Sequence, residues 1–353
     1  MSAKRILCAW ELGGNLGHLW QLKPVARALE VNHGHKMLYA RSPRLRMRHV
    51  DVDRRVPLDE AIDAVDRAHA VAAWGRILDL ARPDAVLLNA APFLSMAAKA
   101  RGLHRFVVGD GYWLPPVSKY RDALWGDTAF LATFAELDHH GPREGVTYFG
   151  ALYLEDEGEV PVWSGERPRV GAYLRAGWAP LVTLAEVLKA KGCDAVFFVP
   201  DADDGLLERL RVAGVRVQRM PLRISPAGGD YDLMICHAGH GTVAASLVAG
   251  VPLMLAPRYV EQDENSRKVV RMRAGSRTAP DASADALRRV LDELLVTDIC
   301  KSAATTFRAE HSGYSPIASV SRLASGIDII LIAQLLRTSG VVQSDRQDRV
   351  NRG

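Results

Sequence analysis

The sequence predicts an α/β protein built from two parallel-sheet domains, and three observations carry that expectation. Short apolar runs recur along the chain, each followed by a turn and then a helix-spaced stretch, the pattern of buried parallel strands joined by helical crossovers. Two of these runs end in Gly-rich turns, Gly13–His18 in one half and His237–Thr242 in the other. The length of 353 residues accommodates two domains of ordinary size, and residues 153–167, with Glu155-Asp156-Glu157-Gly158, Pro161 and Gly165, have the composition of a linker between them.

In the first half, residues 1–152, Arg5 to Trp10 reads as the first strand. The helix after it carries Leu19, Leu22, Val25, Ala26 and Leu29 on one face, with Pro24 in its first turn or kinking it. Lys36 to Ala40 is the second strand. Its end lacks the acid, and the turn Gly13-Gly14-x-x-Gly17 lacks the glycine spacing, that a dinucleotide site requires. Arg41 to Arg55 is arginine-rich and reads as a solvated loop, with docking on an anionic membrane surface as the second reading. Asp59 to Leu80 is expected to be one long helix burying Ile62, Val65, Ala68 and Ala72. Ala85 to Asn89 is a further strand, Leu94 to Arg101 a helix, and a strand after it ends at Gly109-Asp110-Gly111-Tyr112.

The second half, residues 168–314, opens with a strand from Arg169 to Leu174, a helix from Pro180 to Lys191 and a strand from Asp194 to Val199. Asp201-x-Asp203 after that strand resembles a metal–diphosphate device, but the helix behind it favours a cap. Val215 to Met220 is a short strand. Tyr231 to Cys236 is a strand, His237-Ala-Gly-His-Gly-Thr242 the turn, and Val243 to Ala249 a small-residue helix. Val251 to Ala256 is a strand, and Glu261–Asn265 opens the next helix. At the turn, Gly239 and Gly241 permit close backbone approach, the following amides form an anion site, Thr242 adds a hydroxyl, and His237 or His240 supplies an imidazole donor. Ser283 caps a helix to Leu295, Cys300 to His311 is another, and Ser315–Arg337 is an apolar helix. The polar residues 338–353 follow.

With 48% hydrophobic and 24% charged residues, the composition is that of a soluble globular protein. A net charge of +4 gives no reason to expect nucleic acid as a partner. Cys8, Cys193, Cys236 and Cys300 have no metal-binding spacing and read as reduced thiols. The N-terminal apolar run is too short for a signal peptide, and no continuous apolar run is long enough to span a bilayer. The expected location is therefore cytoplasmic.

Tyr231–Gly275 resembles the donor-binding signature of nucleotide-sugar glycosyltransferases of the GT-B fold, two Rossmann-like domains facing across a cleft. It is most similar to the UDP-glycosyltransferases and bacterial natural-product glycosyltransferases. The resemblance rests on His237, Gly239, Thr242, Gly250-Val251-Pro252, Glu261, Gln262 and Asn265, in that order. It implies that His237 and the Gly239–Thr242 amides hold the diphosphate and that Glu261 and Gln262 hydrogen-bond the sugar. Where family members carry a ribose-binding Glu, this chain has Ala245 and Ser246. The Gly13–His18 turn is similar to the family's first loop, which makes His18 the base toward an acceptor hydroxyl. The family's partner carboxylate for that histidine falls at Asn89, with Asp110 as the other candidate. The Ser315–Arg337 helix is expected to cross back to the first domain.

The resemblance thus implies metal-independent, inverting transfer of a sugar from a UDP- or TDP-sugar to a hydroxyl of a small-molecule or lipid acceptor. The alternatives are a non-catalytic nucleotide-sugar-binding or partner protein of the same fold, since the acceptor-side segment after Pro116 is short, and an epimerase or phosphorylase.

Overall fold

The structure is a computed structural model describing residues 3–12, 17–41, 58–153, 158–165, 168–224 and 231–338. Gly13 and Gly14, most of the arginine-rich stretch, Glu155–Glu157 and the polar tail lie outside the described residues.

The first half alternates strand and helix in the order β1 (Arg5–Trp10), α1 (Gly17–His33), β2 (Lys36–Arg41), α2 (Leu58–Asp63), α3 (Arg67–Ala81), β3 (Ala85–Asn89), α4 (Pro92–Lys99), β4 (His104–Gly109), α5 (Arg121–Trp125) and β5 (Thr128–Leu131). The strands form a parallel sheet in the order β2-β1-β3-β4-β5. β1 and β3 are neighbours although β2 separates them in sequence, so the chain leaves their carboxyl ends in opposite directions. A crevice opens at such a point.

The second half runs β6 (Arg169–Tyr173), α6 (Leu181–Ala190), β7 (Asp194–Phe198), α7 (Asp204–Val212), β8 (Arg216–Gln218), β9 (Leu233–Cys236), α8 (His240–Val248), β10 (Leu253–Leu255), α9 (Val260–Arg271), β11 (Gly275–Arg277), α10 (Ala284–Val296) and α11 (Asp298–Glu310). Its parallel sheet has the order β11-β10-β9-β6-β7-β8, with the reversal between β6 and β9. β1, β3 and β9 are buried almost throughout, as expected of strands covered by helices on both faces.

Three expectations need correction. The stretch from Asp59 to Leu80 is two helices, because the Asp66 carboxylate accepts from the His69 amide and starts α3 afresh. The restart shifts the helical phase. Ile62 and Val65 are buried as expected, but Ala70, Ala73, Trp74 and Leu78 face inward in place of Ala68 and Ala72. Pro24 lies inside α1, past its first turn.

The third is the expectation that no stretch is long and apolar enough to span a bilayer: Pro316–Arg337 of α12 (Pro316–Thr338) is so by length and composition. The structure gives that apolar surface another use. Val320, Leu323, Ala324, Ile327 and Leu331 share one buried cluster with Leu22, Val25, Ala26 and Leu29 of α1. The terminal helix therefore returns from the second half to the first. Asp328 reinforces the contact by pairing with His33 Nδ1 (3.1 Å) and His35 Nε2 (3.0 Å).

A second set of contacts joins the halves nearer the cleft. Phe134 lies edge-on to Phe307 and Tyr314, and the Tyr314 hydroxyl donates to the Ala151 carbonyl. His311 pairs with Glu136 at 3.2 Å. The aromatic packing buries apolar area from both halves at one place.

Candidate active site in the interdomain cleft

Two strand ends build the first wall. His18, the second residue of α1, follows the loop from β1, and Asn89 is the last residue of β3. Strand register sets Asn89 beside Trp10 at the same height. His18 Nδ1 lies 2.6 Å from Asn89 Oδ1. The Asn89 Nδ2 donates to Gln21 Oε1 and to the Val108 carbonyl, both at 2.7 Å. Both amide protons are thereby used, so the Asn89 oxygen can only accept, and His18 must carry its proton on Nδ1. Nε2 is left as a lone-pair acceptor. Trp113 stands edge-on to the imidazole at 4.9 Å.

Asn89, then, is the residue in contact with His18. Asp110 acts from farther away. It is 1% exposed, its Oδ1 accepts from the Tyr112 amide (3.0 Å), and its Oδ2 is buried without a hydrogen-bond partner. Burial pushes the His18 pKa below the ordinary imidazole value, while the Asn89 bond and the Asp110 charge both push it up. His18 is accordingly a neutral base at neutral pH.

The second wall is the turn after β9. Ala238 takes a left-handed φ of 59°, unusual for a residue with a Cβ. The Asn265 Nδ2 holds its carbonyl at 3.0 Å. Gly239 caps α8, and the first in-helix amide is that of Val243, donating to Gly239. The amides of His240, Gly241 and Thr242 thus open the helix with no carbonyl four residues back to receive them. A Cβ built on Gly239 or Gly241 would meet nothing within 4 Å. The space above the turn is open to a ligand.

His237 is used differently from the expectation that it supplies an imidazole donor. Its Nδ1 lies 2.7 Å from the Ala256 carbonyl, and its Nε2 accepts from the Arg175 amide at 2.9 Å. Both ring nitrogens are engaged by backbone, and burial lowers its pKa to about 4. In this arrangement the ring ties the loop after β6 to the end of β10, at the point where the strand order reverses. Ser246 is fully buried and donates to the Thr242 carbonyl, and Ala245 is buried too.

On α9, Gln262 Oε1 accepts from the Arg258 amide at 2.9 Å. Glu261 stands where the two walls meet. Burial and, second, the Asp110 charge from the opposite wall hold its carboxyl protonated well above the usual range. α9 also packs on the 3₁₀ turn Ala135–Leu137 of the first half.

The acids after β7 are occupied. Asp203 caps α7 through the Leu206 amide (2.7 Å), and Asp201 accepts from the Ala176 amide (2.9 Å). Asp204 pairs with Arg219.

Sequence reasoning passed over two residues here. Glu11 is buried and accepts from the Phe93 and Leu94 amides, capping α4, whose own N-cap residue has no side-chain bond. An acid directly after an apolar strand was the available signal. His139 lies in the cleft edge-on to Tyr112 at 5.6 Å, and nothing in its local sequence marks that position.

Comparison with known proteins agrees with this layout. Residues 215–310 match the glycosyltransferase family 28 C-terminal domain. The chain carries a glycosyltransferase domain. No curated protein matches the chain by sequence. Among solved structures, the glycotransferase of kitacinnamycin is 18% identical with a TM-score of 0.69, covering 94% of this chain and 100% of that one. The spinosyn rhamnosyltransferase SpnG is 19% identical at 0.64, covering 91% and 100%. SnogD from Streptomyces nogalater is 23% identical at 0.62, covering 92% and 99%. The chain therefore has the GT-B fold of these glycosyltransferases.

Proposed function

We propose that this protein transfers a sugar from a nucleoside-diphosphate sugar to a hydroxyl of a small-molecule acceptor, by a single displacement that inverts the anomeric carbon. The observation that carries the reading is a histidine oriented by Asn89 at 2.6 Å in one half, and a helix start with unengaged amides and open space above it in the other. One wall presents a base and the other an anion site.

His18 Nε2 accepts the acceptor's proton as its oxygen attacks. Asn89 fixes the tautomer, and Asp110 supplies the negative charge that a neutral amide cannot, stabilising the imidazolium as it forms. The departing diphosphate is met by the open amides of α8 and the helix dipole, so its charge is balanced without a metal. His237 aligns the loops around this site. Glu261, held protonated, donates to a sugar hydroxyl, with Gln262 beside it. Two similar structures are described with thymidine diphosphate or dTDP bound, and one with spinosyn aglycone. They favour a TDP-sugar and a small apolar alcohol as the first substrates to try.

The test is a thermal-shift titration with TDP-, UDP- and GDP-sugars, followed by assay of nucleoside diphosphate release with acceptor extracts. A donor at 100 times its Kd stabilises by about 2.7 kcal/mol. If no nucleotide sugar shifts the transition, the reading is wrong. Binding without release under any acceptor favours the non-catalytic alternative, and the anomeric configuration of a purified product decides inversion.

A further inference from the structure

His139 is the cleft residue to which the proposed reaction gives no task. It follows Asp138, a fully buried carboxylate that takes bonds from Arg143 Nη2 (2.8 Å), the Tyr148 hydroxyl (2.9 Å) and the His140 amide (3.0 Å). Gly111 seats against Asp138 and the His139 amide so closely that a Cβ there would collide with both. The backbone carrying His139 is thus clamped from two sides. Its ring, in contrast, meets no side-chain partner among the described residues: both nitrogens are buried, and the Glu261 backbone is the one group within reach of either. His240, 4% exposed and the first residue of α8, has both ring nitrogens buried with no hydrogen-bond partner among the described residues.

These two imidazoles come from opposite halves, and His240 lies near enough to act on charge at His139. His139 also feels Asp110 on the base side and Asp138 beneath it, with the Glu261 backbone alongside. His139 thus stands against the Gly111–Tyr112 loop that follows Asp110, within electrostatic reach of the first residue of α8. In the proposed displacement, the leaving diphosphate is met at that helix start.

We propose that His139 and His240 grip the donor's diphosphate from the two sides of the cleft, making His139 a donor-binding residue contributed by the acceptor-side half. The inference rests on the donor reading above. It follows from the cost of burying ring N–H groups of two histidines without an acceptor side chain, which a ligand offering several acceptor oxygens removes. Without ligand, burial lowers the His139 pKa to about 4, so the ring is neutral. A diphosphate against it favours the protonated form, as Asp110 and Asp138 already do. Binding therefore draws a proton from solvent onto His139, and the charge-assisted bond spans the cleft.

The experiment is calorimetric titration of TDP and UDP at pH 7, in two buffers of different ionisation enthalpy. It compares the unsubstituted protein with His139→Gln and His139→Ala, each checked for an unchanged thermal transition. The ligand's own titration cancels in the comparison. We expect proton uptake by the unsubstituted protein to fall in both variants, and affinity to drop about tenfold or more, as for loss of a hydrogen bond to a charged group. Gln, which keeps a donor, should lose less affinity than Ala but just as much proton uptake. Binding by all three proteins with equal affinity and equal uptake overturns the assignment of His139 alone. Failure of the unsubstituted protein to bind either nucleotide overturns the donor reading and this inference with it.

Discussion

At position 89 the chain has an amide, where the resemblance leads one to expect a carboxylate, and the structure divides the two tasks of that carboxylate between two residues. Asn89 holds the His18 ring, and Asp110 supplies the charge. The division predicts a pH signature. Because the His18 pKa is lowered, the base is neutral at pH 7, and kcat/KM should fall only as pH drops below the ordinary imidazole range. Asp110→Asn removes an influence that raises the pKa and should move that limb to lower pH. Asn89→Asp adds such an influence and should move it higher, while leaving Gln21 Oε1 and the Val108 carbonyl without their donors, at about 1–3 kcal/mol of stability. His18→Ala should lower kcat by about 10²–10⁴ without weakening donor binding. Initial rates across pH 5–9 read all three variants.

Glu11 gives a second expectation at this scale. Burial, opposed by its two amide bonds, pushes its pKa up to about 8. The folded protein then binds a proton that the unfolded chain releases at ordinary carboxylate pH. Stability contributed by this group is therefore lost as pH rises from the ordinary glutamate range through about 8. The thermal transition should fall over that window, and Glu11→Gln should flatten the slope.

Among the elements, the turn between β9 and α8 depends on α9 for its shape. Ala238 keeps a left-handed φ, which costs about 1–2 kcal/mol in an L-residue, and the Asn265 amide secures its carbonyl. Asn265→Ala should release that restraint, lowering stability by about 1–3 kcal/mol and weakening nucleotide binding more than the loss of a surface contact would. Chemical denaturation and the thermal-shift titration separate the two effects. An unaltered nucleotide affinity in the variant would show that the turn holds its conformation without this latch.

For the molecule as a whole, α12 carries the chain from the second half back into the core of the first. Its apolar face would be a liability if left in water, and packing it on α1 buries Leu323 and Ile327 completely. Leu323→Ala should cost about 2–5 kcal/mol in thermal or urea unfolding. It should also raise KM for donor and acceptor together, because the two walls are then held less firmly relative to each other.

What the sequence determined by itself was whatever is written in contiguous residues. The parallel strands, the Gly-rich turn of α8 and the Ser283 cap are short-range patterns of apolarity, chain flexibility and capping, so they were legible before any coordinates. The two-helix split at Asp66 belongs to the same class and was missed only because one carboxylate cap outweighed a long run of good helix formers. What the tertiary structure alone decided depends on partners distant in the chain. His18 and Asn89 are 71 positions apart, and Arg175 and His237 are 62. Spacing cannot say that Asn89 spends both amide protons elsewhere, that backbone engages both nitrogens of His237, or that the His139 ring is buried without a side-chain partner among the described residues. A hydrogen bond needs two groups within a few tenths of an ångström of the right place. Only the packing of the two halves against each other puts them there.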